Sequence, residues 1–373
     1  LLNIKKLNMA TNLIYMPTFR SRQQENIVLR SFDFGNHMYP LIEIIKEFDR
    51  KREGEKQQSF KEIHLGLIKD INAQKVFVDM PVYLKERASM KDEVLLFSRT
   101  VITNKEKRTD YLLSLAEQSN RIIPVISSFL NRTGETETVS FQEKELRPNY
   151  KSIAYRVLFN HFEEDWAEII KVATTNDYII LDLDTMAPYP SPPIKQIISK
   201  WSAFSRCPKI VLRSAINTDI QNVNLTNNEV VFDADNGLLE QYKISFKADS
   251  FGDYVGIKKD DLTSGGTISP GMLLYDAINN QFIGFKGLGN KGEKKSLSDF
   301  EIIIVPEILA SVAVKEMKLC GLTYLNENNK GWEILNEIKQ GAQSGQSQAK
   351  FKRIAMEHYL HCLKTKIDAG QLV

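Results

Sequence analysis

Short apolar runs alternate with segments of helical period from near the start of the chain to about residue 256. The runs are residues 13–17 (LIYMP), 39–45 (YPLIEII), 75–80 (KVFVDM), 122–127 (IIPVIS), 153–158 (IAYRVL), 178–184 (YIILDLD), 209–214 (KIVLRS) and 250–256 (SFGDYVG). Most are continuously apolar, as expected of strands covered on both faces. Between them, Phe60, Ile63, His64, Leu67, Ile68 and Ile71 fall on one helical face. Phe162, Trp166, Ile169, Ile170 and Ala173 do the same, as do Ile194, Ile197, Ile198 and Trp201. Pro192 and Pro193 suit the first turn of the last of these helices. The intervals 81–121 and 215–249 give no clear boundaries.

Eight strands alternating with helices over roughly 250 residues predict an α/β fold of the (β/α)8, TIM-like type. An open doubly wound sheet alternates in the same way and stays open as an alternative. Beyond residue 256 the pattern changes. Residues 272–278 and 281–286 around Asn279-Asn280 read as a β-hairpin. Residues 300–314 are strongly apolar, with Pro306 breaking or starting a helix there. The polar stretch 340–348 reads as a mobile loop before a final helix over 349–367. The expected organisation is a leader or appended segment (1–12), a barrel (13–260), and a C-terminal hairpin with helices packed on it (261–373). A second register would make the hairpin strand the eighth barrel strand and the first run an N-terminal flap.

Composition narrows the class. The 373 residues carry 49 Lys+Arg against 47 Asp+Glu, a net charge of +2 that argues against binding nucleic acid or membrane through bulk charge. Three scattered cysteines suit free thiols in a reducing compartment. No apolar run approaches membrane-spanning length, so a cytoplasmic protein without membrane contact is expected.

The strands carry charge near their C-terminal ends: Glu43, Asp79, Arg156, Asp182, Asp184, Arg213 and Asp253, with Ser127 and Ser128 closing another. In a barrel that end is the functional face. Side chains alternate along a strand, so Asp182 and Asp184 would point into the mouth while Leu181 and Leu183 face the helices. Arg156 and Arg213 would flank the aspartates and offset the cost of burying them. Such a cluster reads either as a structural ion-pair plug or as a site in which arginines hold an anion. In the second reading carboxylates move protons or bind Mg²⁺ or Mn²⁺. Arg20 and Arg22, in FRSRQQE after the first strand, offer further guanidinium forks, with a solvated first helical turn as the plain alternative.

Other motifs carry less. Residues 287–292 (GLGNKG) spell G-x-G-x-x-G without a surrounding βαβ unit, so a flexible basic loop is expected, with Lys286 beside it. His64 reads as a packed core residue, and His358 and His361, three apart on the last helix, as surface histidines. Walker A, G-x-S-x-G and Cys/His catalytic signatures are missing.

YMPTFRSRQQENIVL, PLIEII, IAYRVL, SFGDYVGI and the stretch from FIGFKG to the C-terminal histidines occur in the order seen in the phage beta protein family, which the chain resembles over nearly its whole length. The likeness is most specific at Arg22, Gln23, Glu25, Pro40, Glu43, Arg156, Gly252, Asp253 and Tyr254. It departs at Lys286, where the family often has arginine, and at His358-Tyr359, where it has paired histidines. The resemblance implies a phage or mobile-element setting, with phage defence or inter-phage competition as its biology, and transfers no reaction.

Two functions follow as expectations. In the first, the barrel mouth binds a phosphate-containing ligand, a nucleotide or nucleic-acid end. Arg20, Arg22, Glu25, Asp79, Arg156, Arg213, Asp253, Tyr254 and Lys286 would contact it, and Asp182, Asp184 and Glu43 would carry any phosphoryl or phosphodiester chemistry. In the second, the protein is a scaffold or sensor whose C-terminal region meets a protein partner or a second copy.

Overall fold

A computed structural model describes residues 12–48, 56–259, 262, 268–288 and 295–372. Its centre is a closed barrel of eight parallel strands: β1 (Tyr15–Arg20), β2 (Leu41–Glu43), β3 (Val76–Asp79), β4 (Ile122–Ser127), β5 (Ala154–Leu158), β6 (Tyr178–Asp182), β7 (Lys209–Leu212) and, after an intervening strand β8 (Glu229–Asp235), β9 (Ser250–Asp253). Each barrel strand falls on one of the eight apolar runs. Closure comes from β9 pairing with β1, Tyr15 opposite Phe251 and Pro17 opposite Asp253. The register in which the hairpin closes the barrel is thereby excluded, and the open doubly wound sheet with it.

Strand alternation sorts the side chains into two cores. Leu41, Phe77, Val125, Ile180, Ile210 and Leu212 fill the barrel interior, while their neighbours in sequence, such as Ile42, Val78, Ile126, Ile179 and Val211, pack outward under the helices. The helices form where the period predicts them, over Phe60–Asp70, Phe162–Val172 and Pro192–Ala203. The first begins with a reciprocal capping box between Ser59 and Glu62, and the third with its two prolines in the first turn. Trp166 and Trp201 lie in the core as their spacing implies.

The remainder is a second layer against the barrel. β10 (Gly271–Asp276) and β11 (Gln281–Lys286) form the expected hairpin. The third strand of this antiparallel sheet is β8, from the ill-defined interval 215–249, so the small sheet joins chain from before and after β9. Phe300–Ile304 is a π turn running into Val305–Ala310, with Pro306 at the start of the α-helical part. The loop before the last helix (Gln348–Asp368) is tethered: Glu301 accepts from Gly345 N at 2.6 Å and Ser344 Oγ at 3.0 Å, and Lys350 Nζ donates to Gln343. The segment 1–12, expected to be a leader or appended segment, and the GLGNKG motif fall largely outside the described residues. No helix among the described residues is long and apolar enough to cross a membrane.

Closing the barrel at β9 requires a residue without a side chain. A Cβ on Gly252 would lie 2.6 Å from the main-chain oxygen of Met16 on β1. Gly252→Ala is expected to lower stability by about 1–3 kcal/mol through this overpacking, read as a fall in the urea midpoint at unchanged slope.

Candidate functional site

The inward-facing positions at the C-terminal ends of the strands are Arg20 on β1, Glu43 on β2, Asp79 on β3, Ser127 on β4, Arg156 on β5 and Asp182 on β6. All are buried, and Arg156 stands at their centre. Its Nη1 donates to Glu43 Oε1 at 2.8 Å and to Asp79 Oδ2 at 2.6 Å. Its Nε and Nη2 donate to Asp182 Oδ2 at 3.0 and 2.6 Å. Arg20 Nε reaches the other oxygen of Glu43 at 3.1 Å. One guanidinium therefore meets carboxylates from three strands, and its burial is offset by fixed partners.

Two loops cover this cluster. Residues 80–91, after β3, bring in Tyr83, whose hydroxyl donates to Glu43 Oε1 and lies 3.1 Å from that of Tyr254. The Arg156 guanidinium lies over the Tyr83 ring, 4.7 Å from its centroid. The segment after β9 supplies Tyr254, which donates to Glu43 at 2.8 Å, and Lys259. The Lys259 ammonium sits 4.1 Å from the Tyr83 centroid and 5.0 Å from that of Tyr254, and pairs with Asp184 at 2.9 Å. Leu262 packs with Ile45, Leu84, Met90 and Val94, joining the two loops above the mouth.

The acids differ in their hold on protons. Burial raises Glu43, but the charges of Arg156, Arg20 and Lys259 outweigh it and bring its pKa to about 2. Burial also dominates at Asp79, and with the Glu43 charge beside it prevails over Arg156, raising the pKa to about 6. Burial works against the charge of Lys259, yet the acidic groups around it keep its pKa above that of a free lysine. Every carboxylate oxygen of Glu43, Asp79 and Asp182 accepts a hydrogen bond, Asp182 Oδ1 from the Asp184 N–H at 2.8 Å. This donor set is committed to the protein's own groups. Among the described residues no group of three or more His, Cys, Asp or Glu is placed to hold a metal ion, which leaves Mg²⁺ or Mn²⁺ without a ready cage. Among the described residues the buried hydroxyl of Thr18, two residues below Arg20 on β1, has no hydrogen-bond partner; Asn26 Oδ1, Ser98 Oγ and Arg108 Nε share that condition away from the barrel strands.

Strand parity explains where the remaining sequence-predicted residues lie. Leu212 faces inward, so Arg213 faces outward and donates to the main-chain carbonyls of Met186 and Asp235; it does not flank the aspartates. Gly252 and Tyr254 face inward, so Asp253 faces outward too. It accepts from Tyr15 Oη at 2.6 Å, from Tyr359 Oη, and from Val255 N at 2.8 Å, and burial raises its pKa despite those bonds. Asp184 lies past the strand end in a left-handed conformation (φ 52°), its side chain half exposed on the rim, so it does not join Asp182 inside. Arg22 and Glu25 pair with each other at 2.8 Å, and Lys352 of the last helix lies 3.4 Å from Glu25. Lys286, on the small sheet, donates to the carbonyl of Val223 at 3.4 Å.

The histidines divide similarly. His64 is buried against Phe60, as its apolar face implies. His358 and His361 are not on the surface. His358 bridges Asn329 (2.9 Å) and the carbonyl of Tyr275 (2.8 Å), its pKa lowered by burial to about 4, and His361 meets the carbonyl of Thr323 at 2.8 Å.

Residues 15–363 match the sequence model of a family described as Beta protein. The chain belongs to the Beta protein family. No curated protein matches it. The family match spans the barrel and most of the last helix, so the mouth of this Beta protein and the layer behind it both lie within the matched residues.

Asp79 gives the site a pH signature. Its folded pKa of about 6 lies above the ordinary carboxylate value, so the folded state binds the extra proton, and the contribution of Asp79 to stability falls as pH rises from about 4 through 6. Asp79→Asn removes this dependence. Wild type is expected to lose stability relative to the variant between pH 4 and 7, measured by urea unfolding at each pH; a difference constant across that range would show that Asp79 does not titrate there.

Proposed function

We propose that this Beta protein acts in a phage or mobile-element setting, in phage defence, by binding a phosphate-containing ligand, a nucleotide or nucleic-acid end, at the barrel mouth. The observation that carries the reading is the convergence of Arg20, Arg156 and Lys259 at one loop-covered end of the barrel. Of these, Lys259 is borne by a loop and paired with a half-exposed rim carboxylate. A phosphate entering from the rim takes the place of Asp184 on Lys259. Arg156 stays engaged with its acids and contributes field and not direct contact. The unmatched Thr18 hydroxyl supplies a polar atom for a water or ligand oxygen at the floor. Any transfer of a phosphoryl group would use Asp79, the mouth acid whose pKa of about 6 lets it hold or release a proton near neutral pH.

Calorimetric titration with ATP, a short 5′-phosphorylated oligonucleotide and inorganic phosphate tests this. Lys259→Met is expected to weaken binding roughly tenfold or more through loss of a charge-assisted contact. Asp184→Asn is expected to tighten it by removing the competing carboxylate. Absence of binding by wild type to all three probes, or equal binding by Lys259→Met, would overturn the proposal. The defence role predicts that cells expressing wild type resist phage plating and cells expressing Lys259→Met do not.

A second reading, a scaffold acting through its C-terminal region, rests on a different observation. Val312 and Leu319, seven apart on the helix Val312–Leu319, are exposed on one face, and Ile302 nearby is exposed too. If they meet a second copy, Leu319→Asp is expected to lower the mass measured by light scattering; an unchanged mass rejects self-association through this face.

A further inference from the structure

A cavity of about 730 Å³ lies beside the mouth, between the loops that follow β7 and β9 and the start of the last helix. Its volume falls within the range of small-molecule sites. The walls are mainly aliphatic: Ile216 and Ile220 from the first loop, Ile257 from the second, and Met272 and Leu273 from β10. Phe351 is the aromatic residue of the lining, and its ring is already stacked on Phe300 at 4.3 Å between centroids. Base recognition generally relies on open aromatic faces, so this lining suits an aliphatic body better than a nucleobase.

The polar part of the lining is neutral (Gln221, Asn222, Ser269, Gln348) apart from two cations. Lys258 and Lys352 both line the cavity, and none of the described residues around it is Asp or Glu. The Lys258 ammonium donates to the carbonyls of Thr218 and Ile220 at 3.0 and 3.1 Å, which hold it at the rim without neutralising it. Lys352 lies 3.4 Å from Glu25, outside the lining. Gln348 and Ala349, the first residues of a 21-residue helix, also face the cavity, so the positive end of that helix adds to the field.

We propose that this cavity binds an amphipathic anion: a medium-length aliphatic chain carrying one acidic head group, with the chain among the isoleucines and Met272 and the head at Lys258 and Lys352. Carboxylate and phosphate heads share this chemistry. The site is separate from the barrel mouth in residues and in ligand. The loop after β9 divides the two, giving Lys259 to the mouth and Lys258 to the cavity.

The test is calorimetric titration of the full chain with decanoate, octyl phosphate and, as the uncharged control, decanol. Saturable one-to-one binding of at least one of the acids, with decanol at least tenfold weaker, is expected; the better acid identifies the head. Ile220→Trp, which fills the cavity from a loop, and Lys258→Met are each expected to weaken binding tenfold or more at a melting temperature close to wild type. Lys259→Met, which alters the mouth, is expected to leave it unchanged. The proposal is overturned by failure of wild type to bind either acid, by binding that survives both cavity variants, or by loss confined to Lys259→Met.

Discussion

A guanidinium buried inside a closed barrel must find its counter-charges inside the same barrel, and Arg156 finds three. Glu43, Asp79 and Asp182 reach it from β2, β3 and β6, so strands from opposite parts of the barrel wall converge on one group. Burying any one of these charges alone would cost several kcal/mol, and together they leave no oxygen or guanidinium nitrogen of Arg156 unpaired. The set is mutually dependent. That dependence also fixes what lies above it, because Tyr83 and Tyr254 are oriented by bonds to Glu43, and Lys259 is held over their rings.

Most of this network was legible in the sequence, and the reason is strand periodicity. Apolar runs marked all eight barrel strands, and their polar ends named Glu43, Asp79, Ser127, Arg156 and Asp182 before any geometry was known; Arg20, read as lying beyond the first strand with a solvated helical turn as the alternative, is instead the buried last residue of β1. The errors arose where the same rule was not carried through. Leu212 and Gly252 take the inward positions of β7 and β9, which sends Arg213 and Asp253 outward. A two-residue count from the apolar interior would have said so. Tyr83 and Lys259 could not be found this way, since they sit in loops with no period and owe their place to chain reversal. β8 escaped because its sequence, EVVFDAD, breaks alternation and leaves Phe232 exposed; its partner strand lies more than forty residues on. His358 and His361 looked superficial because the last helix mixes polar with apolar residues on every face. It is nonetheless buried almost all round, packed against β10, the helix Lys330–Lys339 and the helix Gln23–Ser31.

Asp253 shapes the loop over the mouth without facing the barrel interior. Its carboxylate accepts from Tyr15 of β1, from Tyr359 of the last helix, and from the N–H of Val255 at the first step of the loop beyond β9. Val255 and Gly256 follow in left-handed conformations (φ 56° and 64°), and a side chain on Gly256 would meet the Tyr359 ring at 2.7 Å. The turn is thus defined from behind, by the C-terminal layer, before the chain reaches Lys258 and Lys259.

This arrangement gives the C-terminal layer a definite relation to the mouth. One short loop carries Lys259 to the mouth and Lys258 to the cavity, and its start is held by a carboxylate whose partners come from the barrel and from the last helix. The lining of the cavity includes Gly256 and Ile257 of that loop together with Phe351 and Ala355 of the helix that carries Tyr359. A body wedged between the loop and the helix therefore bears on the elements that hold Lys259 over the tyrosines. Conversely, displacing Asp184 from Lys259 releases a charge contact on the far side of the same loop. Coupling between two sites requires a shared element with more than one arrangement, and here the candidate element is short, covalently continuous with both lysines, and fixed at one end.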